Sequence, residues 1–294
     1  MGQIPVRNPY LLQAKLLIAE DRCINLLLEA CRMDLLEYVQ SHSGGIGEPL
    51  ARRWSRQLCH AIAHLHEIGV MHLDVKLENI MLYDPTNVLA LEACDIRLAD
   101  FGLSALGKPG KWLTNMCGSG IYRAPEISLT ESLGPYDGRA ADVWSLGVSM
   151  FVLVRGCFPF AAEAPIGLVK QLVDASPRDV FGAGEPPLVL SSPIQRHRLP
   201  QDLLESLDSM LSLDPDRRPP VSALLHSDWL KCGADFCEAI MSDDGVSNDP
   251  GSDSGYATPP ESKRPPRCPP YLIDLRRKRR RKVLEQTTGR AGAE

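Results

Sequence analysis

Two apolar runs, at 11–18 and 24–28, flank the polar break Glu20-Asp21-Arg22. Short apolar segments joined by a polar turn predict a β-hairpin over residues 9–29. Residues 33–40 predict a short helix, stopped by Ser43-Gly44-Gly45. From 49 to 68 the apolar positions Leu50, Trp54, Leu58, Ile62 and Leu65 recur at helical spacing, and Gly69 ends the pattern. Short strands separated by turn residues are expected over roughly 70–100. Longer helical patterns follow near 140–155 and 200–212, with Pro-rich loops between them. The most apolar stretch, 143–160, is interrupted by Arg155 and is too short to span a bilayer, so it predicts a buried core helix and no membrane association. No internal repeat is visible.

After residue 237 the pattern fades. Residues 242–270 are rich in Ser, Asp, Gly and Pro and poor in large apolar residues, the composition of a disordered linker. Beyond it, 271–294 carries a net charge of +5, which leaves −10 on the rest of a chain whose total is −5. An acidic body with a basic tail predicts two functional regions, and the total excludes a nucleic-acid-like basic excess. The run Arg276-Arg277-Lys278-Arg279-Arg280-Arg281-Lys282 has the form of a nuclear import signal or a phosphate-binding patch, and Thr258-Pro259 that of a proline-directed phosphosite. The 9 cysteines form no C-x-x-C pair, which argues against a disulfide framework and a structural zinc site and for a reducing compartment. Residues 1–7 lack the apolar core of a signal peptide, and Val6 stands where N-myristoylation requires Ser or Thr. The expected location is cytoplasmic, nuclear or both.

The candidate chemistry lies in five segments in a fixed order. They are Met71-His72-Leu73-Asp74-Val75-Lys76-Leu77-Glu78-Asn79, then Asp100-Phe101-Gly102, then Gly118-Ser119-Gly120-Ile121-Tyr122-Arg123-Ala124-Pro125-Glu126. Asp142-Val143-Trp144-Ser145-Leu146-Gly147 and Asp214-Pro215-Asp216-Arg217-Arg218-Pro219 complete the set. Each is weak alone; together, in this order and at these spacings, they resemble the eukaryotic-type serine/threonine protein kinase catalytic domain from its hinge onward, over about 8–231. The segment after Asp142 is most similar to the calcium/calmodulin-dependent kinase group.

The resemblance implies an α+β, protein kinase-like fold, mainly the helical large lobe with a residual hairpin of the small lobe. It places a partial kinase domain at 1–231 and a disordered tail with a basic cluster at 232–294. It implies ATP- and magnesium-dependent transfer of phosphate to Ser or Thr of protein substrates. Phosphoryl transfer needs alignment and charge neutralisation more than covalent help. Asp74 matches the carboxylate that orients the substrate hydroxyl and takes its proton, and Lys76 matches the lysine that meets the transferred phosphate. Asn79 and Asp100 match the magnesium-holding positions, which call for hard oxygen ligands. Ser119 stands where this class has a Ser or Thr facing Asp74 and Lys76. The hinge falls at Leu28-Glu29-Ala30-Cys31, so adenine would bond backbone groups of Glu29 and Cys31, with Leu28 and Met81 packing near the base. Glu126 with Arg218, and Asp142 with the backbone of 72–74, match structural contacts, and His72 is expected to be a packed scaffold residue.

The departures from the family pattern carry equal weight. No Gly-x-Gly-x-x-Gly loop precedes residue 9, and no Val-Ala-Ile-Lys-like strand supplies the lysine that anchors the α- and β-phosphates. A hairpin outside a larger sheet is marginal, so its edge and the Leu26–Leu28 face are expected to be exposed and open to a partner. Leu73 replaces the arginine that usually grips an activation-segment phosphate, so Thr114 is not expected to be an on-switch. Three readings stay open: an active kinase whose N-terminal part lies outside this chain, a truncated pseudokinase that acts by binding partners, and a fragment that does not fold.

Overall fold

Among the described residues, the longest buried element is a helix whose apolar residues run round its whole circumference. α5, Gly138–Arg155, buries Val143, Trp144, Leu146, Val148, Met150, Phe151, Val152 and Leu153 together, as a helix in the middle of a core must. Asp137 caps its start by accepting from Arg139 N, and Gly156 ends it in the left-handed conformation. In the computed structural model, residues 8–20, 23–42, 44–107, 112–159 and 199–231 are described, all within the unit 1–242. The linker 242–270 and the basic run 276–282 lie outside the described residues.

The predicted hairpin is present. β1, Ala14–Ala19, pairs antiparallel with β2, Ile24–Leu28, with an irregularity between Ala14 and Leu16. Neither face of this pair is covered: Leu16, Leu17, Ile18, Ile24, Leu26, Leu27 and Leu28 are 42% to 70% exposed. Exposure thus extends past the expected Leu26–Leu28 face to both sides of the ribbon. Just before it, residues 10–12 run along the strand β6, Asp95–Leu98, where Leu98 N donates to Tyr10 O at 2.8 Å and Leu12 N to Leu98 O at 2.9 Å.

The helix expected over 33–40 is shorter. Met33–Asp34 forms a strand, β3, and the helix α1 covers Leu35–Gln40, with the Asp34 carboxylate accepting from Glu37 N at 2.8 Å. Pairing of Met33 with Leu82 and of Asp34 with Met81 holds these two residues extended. The expected 49–68 helix is α2, Glu48–Glu67, with Pro49 in its first turn and Trp54, Leu58, Ile62 and Leu65 on its buried face. That face packs on α5, on β6 and on the short helix Val221–Leu224.

The strands expected over 70–100 are β4 (Val70–Met71), β5 (Ile80–Tyr83) and β6 (Asp95–Leu98). β3, β5 and β6 form one antiparallel sheet in that order, and β4 pairs with β7, Ala105–Leu106. The short helices α3, Pro125–Ser128, and α4, Thr130–Leu133, precede α5, and α6, Gln201–Met210, realises the 200–212 pattern and lies against α5. Among the described residues, no helix is long and apolar enough to cross a membrane. This is the α+β, protein kinase-like architecture, with the loops after β4 and β6 opening beside each other.

Candidate active site

The loop between β4 and β5 carries the first group of candidates. Its backbone is held from below by α5: Asp142 accepts from His72 N at 2.8 Å and from Leu73 N at 2.7 Å. Asp74 N does not join that clamp; it donates to His72 Nδ1 at 3.3 Å. His72 is fully buried, and its Nε2 lies 3.1 Å from the Ala99 carbonyl. A carbonyl only accepts, so Nε2 carries the proton and Nδ1 is the acceptor, which is the neutral tautomer. Burial pushes this imidazole below its ordinary 6.5, against the upward pull of Asp142, the Ala99 carbonyl, Asp74 and Asp100. Its ring stands edge-on to Phe101, with centroids 5.1 Å apart. These contacts make His72 a bracket between the Asp74 and Asp100 loops.

Asp74, Lys76, Asn79 and Ser119 come together in one network. The Lys76 ammonium donates to Asp74 Oδ2 and, at 2.6 Å, to Ser119 Oγ. Ser119 Oγ donates to Asp74 Oδ1 at 2.7 Å. Asn79 Nδ2 donates to Asp74 Oδ2 at 3.0 Å and to the Asp74 carbonyl at 2.9 Å. Asp74, Lys76 and Asn79 are each 6% exposed, so their attractions are screened far less than those of a surface pair. The turn Leu77–Asn79 brings Asn79 back under Asp74 before β5 begins.

Asp100 reaches the same region along the sheet, because Ala99 N donates to the Asn79 carbonyl at 2.8 Å. It adopts φ +64°, and its Oδ1 accepts from Gly102 N at 3.2 Å. A left-handed aspartate marks a backbone held in place by its surroundings. With Nδ2 engaged twice, the Asn79 amide presents Oδ1 as its remaining hydrogen-bonding group. An amide oxygen and a carboxylate on adjacent loops are the hard donors that suit a magnesium ion held partly by substrate phosphates. Among the described residues, no three His, Cys, Asp or Glu side chains converge in an all-protein metal cage.

The hinge candidates are held from the side. Glu29 Oε1 accepts from Lys15 Nζ at 2.9 Å, Oε2 accepts from Gln13 N at 3.2 Å, and Arg97 lies 3.6 Å from Oε2. Burial raises the Glu29 carboxyl, but these three partners outweigh it and leave the group below the usual carboxylate range. Cys31 is half-buried, with its thiol pushed up by burial and by Glu29. Leu28 is 42% exposed, and Met81 is half-buried in β5 opposite Asp34 and Arg97. A cavity of about 760 Å³ lies elsewhere, lined by residues that include His60, His64, His66, Arg139 and Arg218; none of the candidate residues lines it.

Two expected scaffold contacts are present. Arg218 Nη1 and Nη2 donate to the two Glu126 carboxylate oxygens at 2.6 and 2.9 Å, and Asp142 holds the backbone of His72 and Leu73, though not that of Asp74. The sequence reading missed His66, whose Nε2 is 2.8 Å from Asp142 Oδ2, and Tyr136, which pairs with Leu113. The signal for His66 was its place in the last turn of α2, where the helix ends against α5.

A helical lobe in which an aspartate, a lysine two residues on and an asparagine five on share one carboxylate, beside a left-handed Asp-Phe-Gly turn, is the large lobe of a protein kinase. The sequence matches the protein kinase domain over residues 5–230, and the chain belongs to that family. It is 32% identical to the human SNF-related serine/threonine-protein kinase over 198 residues, covering 67% of this chain and 22% of that protein. It is 34% identical to human NUAK family SNF1-like kinase 2 over 229 residues, covering 78% and 32%. It is 29% identical to serine/threonine-protein kinase kin-29 of Caenorhabditis briggsae over 236 residues, covering 80% and 26%. The chain therefore spans between about a fifth and a third of the length of these relatives.

Proposed function

We propose that this chain carries the chemical half of an ATP- and magnesium-dependent kinase that phosphorylates serine or threonine in protein substrates. The observation that carries this reading is the Asp74 carboxylate bound at once by Lys76, Ser119 and Asn79. Ser119 is itself an alcohol held between a carboxylate and an ammonium. A substrate hydroxyl in the same setting donates its hydrogen to Asp74 while its oxygen attacks the γ-phosphorus. The bond from that phosphorus to the β,γ-bridging oxygen breaks, ADP leaves, and Asp74 accepts the hydroxyl proton. Lys76 offsets the charge on the transferred group as a point charge. Bound magnesium would supply charge neutralisation on the phosphates, and Asn79 and Asp100 are the residues that would hold it. Backbone groups of Glu29 and Cys31 take the adenine edge, with Leu28 and Met81 against its faces.

The bare hairpin supports a further part of the reading. A strand pair apolar on both faces suits burial between layers, so β1 and β2 are the place we assign to a covering partner or chain segment. The basic run 276–282 suits an import receptor and a nuclear pool. We assign a partial kinase domain to 1–231 and a tail with a basic cluster to 232–294.

The test is phosphate transfer from labelled ATP to a serine/threonine peptide library, with magnesium, using the protein purified from its source. General-base assistance is worth about 10²- to 10⁴-fold, so Asp74→Asn should cut the rate by that factor. A wild-type rate no higher than that of Asp74→Asn would remove the enzyme reading and leave the partner-binding one.

A further inference from the structure

A second convergence lies beside the Asp74 network, where the segment that carries Ser119 crosses the start of α5. Leu113 and Tyr136 form an antiparallel bridge: Leu113 N donates to Tyr136 O at 2.8 Å and Tyr136 N to Leu113 O at 2.9 Å. The Tyr136 hydroxyl then donates to the Asn115 carbonyl at 2.8 Å and lies 3.2 Å from Cys117 Sγ. The side chain of Leu113 turns toward Gly138. A methyl group at Gly138 would sit 2.9 Å from Leu113 Cδ1, 3.1 Å from Leu73 Cδ2 and 3.1 Å from Met71 Cγ. These three apolar side chains therefore meet at the one place where α5 begins without a side chain. Met71 and Leu73 are 1% and 6% exposed, whereas Thr114, Asn115 and Met116 point to solvent.

Leu73 ties this cluster to the chemistry. It immediately precedes Asp74, has φ +64°, and is pinned by Asp142 through its N–H. Its carbonyl lies 3.0 Å from where a Cβ would stand on Gly118, which itself has φ +85°. The side chain of Leu73 thus meets the Leu113 end of the segment, and its carbonyl meets the Gly118 end, one residue before Ser119.

We propose that Leu113 is a positioning residue, an apolar latch that seats on Leu73, Met71 and Gly138 and holds Ser119 in register with Asp74 and Lys76 without a phosphate on Thr114. The physical basis is that burial of carbon against carbon needs no charge, and the atoms nearest the latch point are all carbon. A phosphate on Thr114 finds no cation in this cluster, because leucine and methionine offer none. The consequence for catalysis rests on the function proposed above; the consequence for the order of the segment does not.

The experiment is hydrogen exchange of residues 112–120, read by mass spectrometry on the full, phosphatase-treated chain. The segment should be protected in the wild type. Leu113→Asn should speed its exchange by about tenfold or more, and Leu113→Met should restore protection. Gly138→Ala gives a reading that is independent of Leu113. Its methyl crowds Leu113, Leu73 and Met71, so exchange of 112–120 should rise, and the melting temperature should fall because the two buried side chains must also give way. Where phosphotransfer is measurable, Leu113→Asn should lower kcat and leave KM for ATP unchanged. Segment exchange unaltered in both Leu113→Asn and Gly138→Ala would overturn the latch. So would protection that is gained by the wild type only after Thr114 is phosphorylated. A chain that shows latch-dependent protection but no phosphotransfer upholds the latch and removes the enzyme reading.

Discussion

Removing Arg218 should strip a buried carboxylate of its cation and destabilise this domain strongly. Its guanidinium binds both oxygens of Glu126, donates through Nε to the Ser212 carbonyl at 2.9 Å and through Nη1 to the Ala140 carbonyl at 3.0 Å, and lies 5.0 Å from the centre of the Trp144 ring. The two side chains are 0% and 5% exposed, and 92 residues separate them in sequence. Arg218→Met keeps the bulk of the aliphatic stem but leaves the Glu126 carboxylate buried without its cation. Breaking a buried pair from one side costs about 3–5 kcal/mol, against roughly 5–15 kcal/mol for a whole domain. At about 2–4 °C per kcal/mol for a domain of this size, the melting temperature should fall by about 6–20 °C. Arg218→Lys should recover little, because an ammonium cannot span both carboxylate oxygens. The double variant Glu126→Leu with Arg218→Met removes both charges, so it should regain at least half of the loss, short of wild type because the two carbonyls lose a donor. Thermal unfolding followed by circular dichroism and by tryptophan fluorescence measures all of these. A single-variant loss below about 1 kcal/mol, or a double variant no more stable than Arg218→Met, would refute the reasoning.

Protonation of His72 gives a pH signature. Its folded-state imidazole titrates below the ordinary 6.5, so the unfolded chain binds the proton more readily; the contribution is present above that value and is lost as pH falls through it. The melting temperature should decline more steeply between pH 6.5 and 5 in the wild type than in His72→Gln, and parallel declines would count against this assignment. Leu17→Ser and Leu27→Ser remove apolar groups that the fold leaves exposed, so each should change stability by less than about 0.5 kcal/mol. The amides of Ala14–Ala19 and Ile24–Leu28 should exchange rapidly in the isolated chain; strong protection there would mean that the hairpin is covered.

Much of this fold could be read from local pattern. The spacing of Trp54, Leu58, Ile62 and Leu65 places the buried face of α2, and residues 143–153, which carry no charge and only Ser145 and Ser149 as polar side chains, mark α5 as a central helix. The break at residues 20–22 separates the hairpin strands. The strand at Met33–Asp34 was not legible, because two residues carry no period and their extended form depends on Leu82 and Met81.

The candidate site divides in the same way. Asp74, Lys76 and Asn79 lie within six residues, so their order and spacing alone place them on one loop. Ser119 and the Glu126–Arg218 pair were legible through resemblance to a family, and the structure brings each to its expected neighbour. No local pattern announces that His66 reaches Asp142 across 76 residues, or that Leu113 meets Leu73 at a bare glycine. Local periodicity encodes which face of an element is apolar, because that depends on residues three or four apart or on alternate ones. Which faces then meet depends on packing the whole set of elements at once, with volumes and hydrogen bonds satisfied together. Contacts of that kind exist in the tertiary structure and have no counterpart in any short stretch of chain.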